Sequence, residues 1–203
     1  MSNKLIVTVF SLCLGLGLTL GAGPAASQAD DKHPVVVIAT SMGEITVELD
    51  AEKAPITVEN FLKYVDAKFY DSLVFHRIMR GFMIQGGGLD ARLNEKRDGQ
   101  RASIQNESSN KLSNARGTIA MARTGDPNSA TNQFYINHGR NNAYLDTAGG
   151  GYTVFGKVID GMDVVDKIAN VETTVKVGGD GNRMPNVPVQ PVTIKSVRRK
   201  AKS

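Results

Sequence analysis

A chain of 203 residues, 41% apolar and 22% charged, suits one packed domain with something extra, and its composition excludes a disordered chain or a fibre. The formal net charge of +4 is mild and spread along the sequence, which gives no reason to expect a nucleic-acid partner. Its one concentration, Arg198, Arg199, Lys200 and Lys202, reads as a short solvated basic end.

The first thirty residues form a separate object. Lys4 precedes an apolar run over 5–20, and the small residues Ala25, Ala26, Ser27 and Ala29 follow. A charged start, a short apolar stretch and a small-residue exit predict a secretory signal peptide over 1–29, cleaved near Ala29. The run falls short of the ~20 residues that span a bilayer, which disfavours an uncleaved anchor. The only cysteine, Cys13, follows Leu12 inside that run, whereas a lipidated cysteine follows small residues. The processed chain therefore has no thiol and no disulfide, which is compatible with an oxidising compartment. Residues 30–34 are a short extension, 35–198 the folded domain and 199–203 a basic tail.

Within the domain, residues 35–39 and the alternating Ile45, Val47 and Leu49 read as two strands of a hairpin turning at Ser41-Met42-Gly43. Pro55 opens a helix with Val58, Phe61, Leu62 and Val65 on one face. Short strands are predicted at 73–78, 82–85, 117–122, 134–136 and 154–158, a second helix at 163–168, and a closing strand at 192–197. Many short strands with two separated helices favour an antiparallel barrel or sandwich over a βαβ sheet. The long polar stretches 90–111 and 137–151 are loops of a length that is often functional.

The inventory for covalent or metal chemistry is thin. The three histidines, His33, His76 and His138, carry no zinc-ligand spacing, and no Gly-x-Ser-x-Gly elbow is present. Gly86-Gly87-Gly88 is followed by no helix-like segment, so a phosphate loop is not supported. The dense segment is 75–88, which mixes an arginine, large apolar residues and an amide. Strand alternation predicts that Phe75, Arg77 and Met79 line one side and that, after a turn at Gly81, Met83 and Gln85 share a face too. A guanidinium among apolar side chains needs an acceptor from the protein or from a ligand. Spacing alone leaves both open.

That segment, Phe75-His76-Arg77-Ile78-Met79-Arg80-Gly81-Phe82-Met83-Ile84-Gln85-Gly86-Gly87, resembles the signature of the cyclophilins, peptidyl-prolyl isomerases that bind cyclosporin. Further blocks match in order: Pro55-x-Thr57-Val58-Glu59-Asn60-Phe61, Gly117-Thr118-Ile119-Ala120-Met121-Ala122-Arg123, Asn132-Gln133-Phe134-Tyr135-Ile136-Asn137, and Tyr144-Leu145-Asp146 with Val154-Phe155-Gly156-Lys157-Val158. The likeness covers about 35–197 and is similar to the bacterial periplasmic members, in agreement with the leader.

The resemblance implies a closed eight-stranded antiparallel β-barrel with two capping helices. It implies isomerisation of X-Pro bonds without metal or cofactor, since no bond is made or broken. By the same resemblance Arg77 is catalytic, donating to the prolyl nitrogen. Phe82, Met83, Tyr135 and Leu145 hold the proline ring, and Gln85 holds a substrate carbonyl. Ala122, Arg123 and Gln133 line the groove for residues before the proline. Tyr144 stands where cyclosporin-sensitive members carry tryptophan, so weak cyclosporin binding is expected. Tyr135 replaces a common phenylalanine, and its hydroxyl needs a partner. Tyr152 is the nearest replacement for the family's pocket histidine. His76 reads as structural and His138 as solvated. The expected partners are flexible proline-containing polypeptides, met by a monomer in the periplasm. The alternative is a non-catalytic proline-peptide binding or holdase module, against which intact Arg77 and Gln85 argue.

Overall fold

The computed structural model describes residues 32–140 and 142–201, so the apolar leader and its cleavage region lie outside the described residues. Alternation in the first two runs gives the expected hairpin. Val36 and Ile38 of β1 (Val35–Thr40) and Ile45, Val47 and Leu49 of β2 (Gly43–Leu49) are buried, and Thr40 pairs with Gly43 across the two-residue turn. The Thr40 hydroxyl closes that turn, donating to the Gly43 carbonyl and accepting from the Met42 amide.

Helix α1 (Pro55–Asp66) begins at its proline and buries Val58, Phe61, Leu62 and Val65. Ala54 at its N-cap offers no side-chain acceptor. Glu107, from the long polar loop, supplies one instead. Its carboxylate accepts from the Ile56 amide at 3.1 Å, the Thr57 amide at 2.8 Å and the Thr57 hydroxyl at 2.7 Å. A carboxylate at a helix N-terminus satisfies orphan amides and complements the dipole. The loop thus has a structural task.

Strands β3 (Leu73–Met79), β4 (Met83–Gly86), β5 (Thr118–Met121), β6 (Phe134–Asn137) and β7 (Val154–Asp160) follow, then α2 (Met162–Ala169). Strands β8 (Thr173–Val177) and β9 (Arg183–Pro188) precede β10 (Val192–Arg199). Eight strands close an antiparallel barrel in the order β1-β10-β3-β4-β6-β5-β7-β2, while β8 and β9 form a separate hairpin. One layer of the barrel is four isoleucines in register, Ile78, Ile84, Ile136 and Ile119. Phe61 of α1 meets Tyr70, Phe134 and Phe155 at centroid distances of 5.2–5.6 Å, and Val165 and Ile168 of α2 are fully buried in the same core.

Two expectations need correcting. The β8–β9 hairpin was not anticipated, because Pro185, Pro188 and three glycines interrupt its apolar pattern. The basic end begins later than expected. Arg198 and Arg199 belong to β10 and form bidentate pairs with Asp71 (2.8 and 2.6 Å) and Asp66 (2.7 and 2.7 Å), tying the last strand to the region where α1 ends.

Candidate active site

The site is built on the outer wall of the barrel, and one irregularity makes it possible. Across β3 and β4, Phe75 pairs with Gly86 and Arg77 with Gln85, leaving His76 as an extra residue in a β-bulge. A bulge re-aims the side chains beyond it. Phe75 is therefore fully buried in the barrel core, while Arg77 and Met79 emerge on the outside. The expectation that Phe75 shares a face with Arg77 is wrong for this reason. Beyond the bulge, Arg77, Gln85, Tyr135 and Ala120 sit side by side in register on four neighbouring strands.

Arg77, Gln85 and Tyr135 border a cavity of about 400 Å³. Its apolar body is Phe82, Met83, Tyr135 and Leu145, with Tyr144 at the mouth, and Ala122 and Arg123 at one side. Tyr152 and Ala148 complete the wall. Gln133 lies outside this cavity but borders the adjoining groove together with Gln85, Ala122 and Arg123. All the residues expected at the site are thus brought to one continuous surface.

Arg77 is half-buried and forms no ion pair among the described residues. Its guanidinium reaches only the Gln85 Oε1 at 3.4 Å and the Met79 sulfur at 3.2 Å. Five donors with two weak acceptors leave hydrogen-bonding capacity directed at a ligand. Gln85 is oriented in turn, since its Nε2 donates to Gln133 Oε1 at 3.0 Å. The glycine run explains how Gln133 reaches it. A Cβ at Gly88 would lie 2.6 Å from Gln133 Cγ, and one at Gly86 would lie 2.9 Å from the Val74 carbonyl. These glycines serve close packing of chain against chain.

Behind the cavity stands a polar frame drawn from the asparagine-rich loops. Tyr135 donates its hydroxyl to Asn114 Oδ1 at 2.7 Å, which gives the extra hydroxyl its partner. Burial pushes that phenol far above its ordinary pKa, so it remains a donor. Asn114 also accepts from Asn137 and donates to Asp146 and the Tyr152 carbonyl. The Phe82 carbonyl accepts from the His138 and Gly139 amides and from Asn142 Nδ2, which fixes the strand start. Its ring stacks on Tyr144 at 6.3 Å with planes 16° apart.

Arg123 turns inward. Its guanidinium donates to the carbonyls of Thr124, Ala148, Gly149 and Gly151 and lies 4.1 Å from the Tyr152 ring centroid, bracing the loop that forms the far wall. His138 is a further correction, for it is not solvated. Its Nδ1 accepts from the Gly81 amide at 3.0 Å and its Nε2 meets Asp166 at 3.2 Å; burial and Arg116 hold its pKa below the usual value. His76 is buried, as a structural reading expects, and has no place on the cavity. Residues that sequence reasoning missed are Ala148 and the groove side chains Glu95, Gln100, Thr124, Ser129 and Thr131. They sit on loops without periodicity, and no motif marks them.

The family model described as cyclophilin type peptidyl-prolyl cis-trans isomerase matches residues 35–199, and the chain belongs to that family. It is 50% identical over 171 residues to a peptidyl-prolyl cis-trans isomerase of Acinetobacter baylyi, covering 83% of this chain and 87% of the relative. It is 42% identical over 200 residues to peptidyl-prolyl cis-trans isomerase A of Dickeya dadantii, covering 98% of each. Among solved structures it is similar to a Cryptosporidium parvum cyclophilin type isomerase determined in the presence of the dipeptide Ala-Pro. That likeness has a TM-score of 0.65 and 25% identity, and covers 83% of this chain and 99% of the other.

Proposed function

We propose that this protein accelerates rotation about X-Pro bonds of exported polypeptides, with Arg77 as the catalytic residue. The observation that carries the reading is a guanidinium without a carboxylate partner among the described residues, set beside an apolar cavity of about 400 Å³. Partial double-bond character of the C–N bond raises a barrier of ~18–20 kcal/mol, and uncatalysed X-Pro exchange takes on the order of tens to hundreds of seconds. Reaching about a millisecond requires roughly 7 kcal/mol, at about 1.36 kcal/mol per tenfold.

As the bond twists, the prolyl nitrogen regains a localised lone pair. A donor from Arg77 meets that lone pair only in the twisted state, so it lowers the barrier without simply tightening binding. Phe82, Met83, Tyr135 and Leu145 hold the ring. Gln85 holds a carbonyl on the other side of the rotating bond. The adjoining groove of Ala122, Arg123 and Gln133 holds the preceding residues. No step needs a nucleophile.

The site of action proposed is the periplasm, supported by the leader-like run 5–20; a chain without cysteine after residue 29 is compatible with that compartment. The protein acts there as a monomer on flexible clients. Isomerisation of an Ala-Pro peptide, followed by protease coupling or NMR exchange, tests the assignment. Arg77→Ala is expected to lose about 10²- to 10³-fold in kcat/KM, the scale of one transition-state donor. An unchanged rate in that variant overturns the role of Arg77. Wild-type protein that binds the peptide without turnover is a binding module instead. Fractionation and N-terminal sequencing of the processed chain test the compartment and the cleavage near Ala29.

A further inference from the structure

A second cavity, of about 500 Å³, opens between the bulge of β3, residues 89–97 and the turn joining β8 to β9. Its floor is apolar. Leu89, Leu93 and Val187 are buried with Met184 packed against them, in a cluster separate from the barrel core. Its walls are fixed by the backbone: the Gly179 amide donates to the Leu93 carbonyl at 3.0 Å and the Lys96 amide to Gly88 at 2.9 Å. The Asp90 carboxylate holds the loop from within, accepting from the Arg92 and Asn94 amides. The cavity is therefore pre-formed.

Two features of it are costly to the fold on its own account. Leu93 has φ of 64°, in the left-handed region that a branched side chain rarely adopts, and this conformation places leucine on the cavity floor. His76, only 4% exposed, lines the cavity, and its Nδ1 has no hydrogen-bond partner among the described residues.

The cavity adjoins the site already described. Glu95 and Gln133 border both this cavity and the groove, and the groove shares Gln85, Ala122 and Arg123 with the proline pocket. A chain leaving the proline pocket along that groove would cross Gln133 to reach the second cavity. Its rim carries Glu95, Arg97 and Asp180, with Glu95 and Arg97 paired at 3.0 Å, so the remaining negative charge disfavours an acidic guest.

We propose that this cavity is a further compartment of the substrate groove, which seats a large apolar side chain of the client polypeptide lying before the proline. It rests on the isomerase reading above. It makes the enzyme selective for X-Pro bonds that follow an apolar residue at a set distance.

The test is a series of Ser/Gly-rich Ala-Pro peptides in which one leucine is moved through each of the positions two to five before the proline. Wild-type kcat/KM is expected to rise about tenfold with leucine at one of these positions over serine there. Leu93→Gly removes the floor and relieves the backbone at once, and Met184→Asp charges the floor from the other side. Each is expected to abolish the leucine preference while leaving the rate on a short Ala-Ala-Pro-Phe peptide unchanged. Equal rates for leucine and serine at every position, or a preference that survives both variants, overturns the proposal. Anisotropy titration with the same labelled peptides separates the two readings. If no peptide is isomerised, the isomerase reading falls. A leucine preference in binding that Leu93→Gly removes would still establish the compartment.

Discussion

Replacing Gly88 with alanine is expected to damage turnover while sparing the fold. The φ of Gly88 lies outside the left-handed region, so alanine fits the backbone. Its Cβ, however, would stand 2.6 Å from both Cγ and Nε2 of Gln133 and 2.7 Å from Cδ. Gln133 is half-exposed and is able to swing into the groove, which breaks its 3.0 Å bond with Gln85. Gln85 then loses the partner that aims its carbonyl oxygen at Arg77. A neutral hydrogen bond is worth about 0.5–1.5 kcal/mol net. At about 1.36 kcal/mol per tenfold, kcat/KM falls about twofold to about thirteenfold if the whole of that energy is realised in the transition state. A protease-coupled assay at low temperature reads the rate, and a thermal melt is expected to move little. Because the two positions act through one contact, Gly88→Ala placed on Gln133→Ala should add no further loss. A wild-type rate in Gly88→Ala, or two losses that multiply in the double variant, refutes the coupling from Gly88 through Gln133 to Gln85.

Tyr135→Phe leaves Asn114 Oδ1 with its bond from Asn137, so a stability loss of about 0.5–1.5 kcal/mol is expected by urea denaturation, with kcat/KM within about twofold of wild type. An unchanged urea midpoint would show that the hydroxyl bond contributes nothing. Burial lowers the pKa of His76 to about 4, whereas the unfolded chain takes up that proton near 6.5. Stability from this group is complete above pH 6.5 and is lost as pH falls towards 4, by roughly 3 kcal/mol. His76→Leu should flatten the pH dependence in that window, and an identical slope in the variant would contradict the assignment. For cyclosporin, Tyr144 lacks an indole donor, so binding weaker than nanomolar is expected by calorimetry, tightening in Tyr144→Trp. A nanomolar dissociation constant for the wild type would exclude this account.

The alternation in β1 and β2 and the helical spacing from Pro55 were legible because each buries one face against a single core. Local pattern also located the strands that carry Arg77, Gln85 and Tyr135. What it could not supply was the parity of β3. A bulge is specified by the partner strand's pairing, and nothing in Phe75-His76-Arg77 marks the middle residue as the extra one. The same holds for Glu107, whose duty as the cap of α1 depends on a fold that brings a loop back across some fifty positions. The β8–β9 hairpin was hidden by its own prolines and glycines. The basic end was misjudged because the acidic partners of Arg198 and Arg199 lie on the far side of the sequence. The grouping of Phe82, Leu145 and Tyr135 came from family likeness, since residues from separate strands and loops leave no common period.

The bulge at His76 also sets how this protein is able to vary. Up to Phe75 the strand answers to the barrel's filling, and from Arg77 onward its alternate side chains answer to whatever occupies the outer wall. The change of allegiance is counted out by a single residue without a ladder partner. Losing that residue would bring the guanidinium into phase with the isoleucine layer, where neither water nor an acceptor awaits it. Substitutions along the outer wall can accumulate one at a time, whereas the length of this short stretch is held fixed.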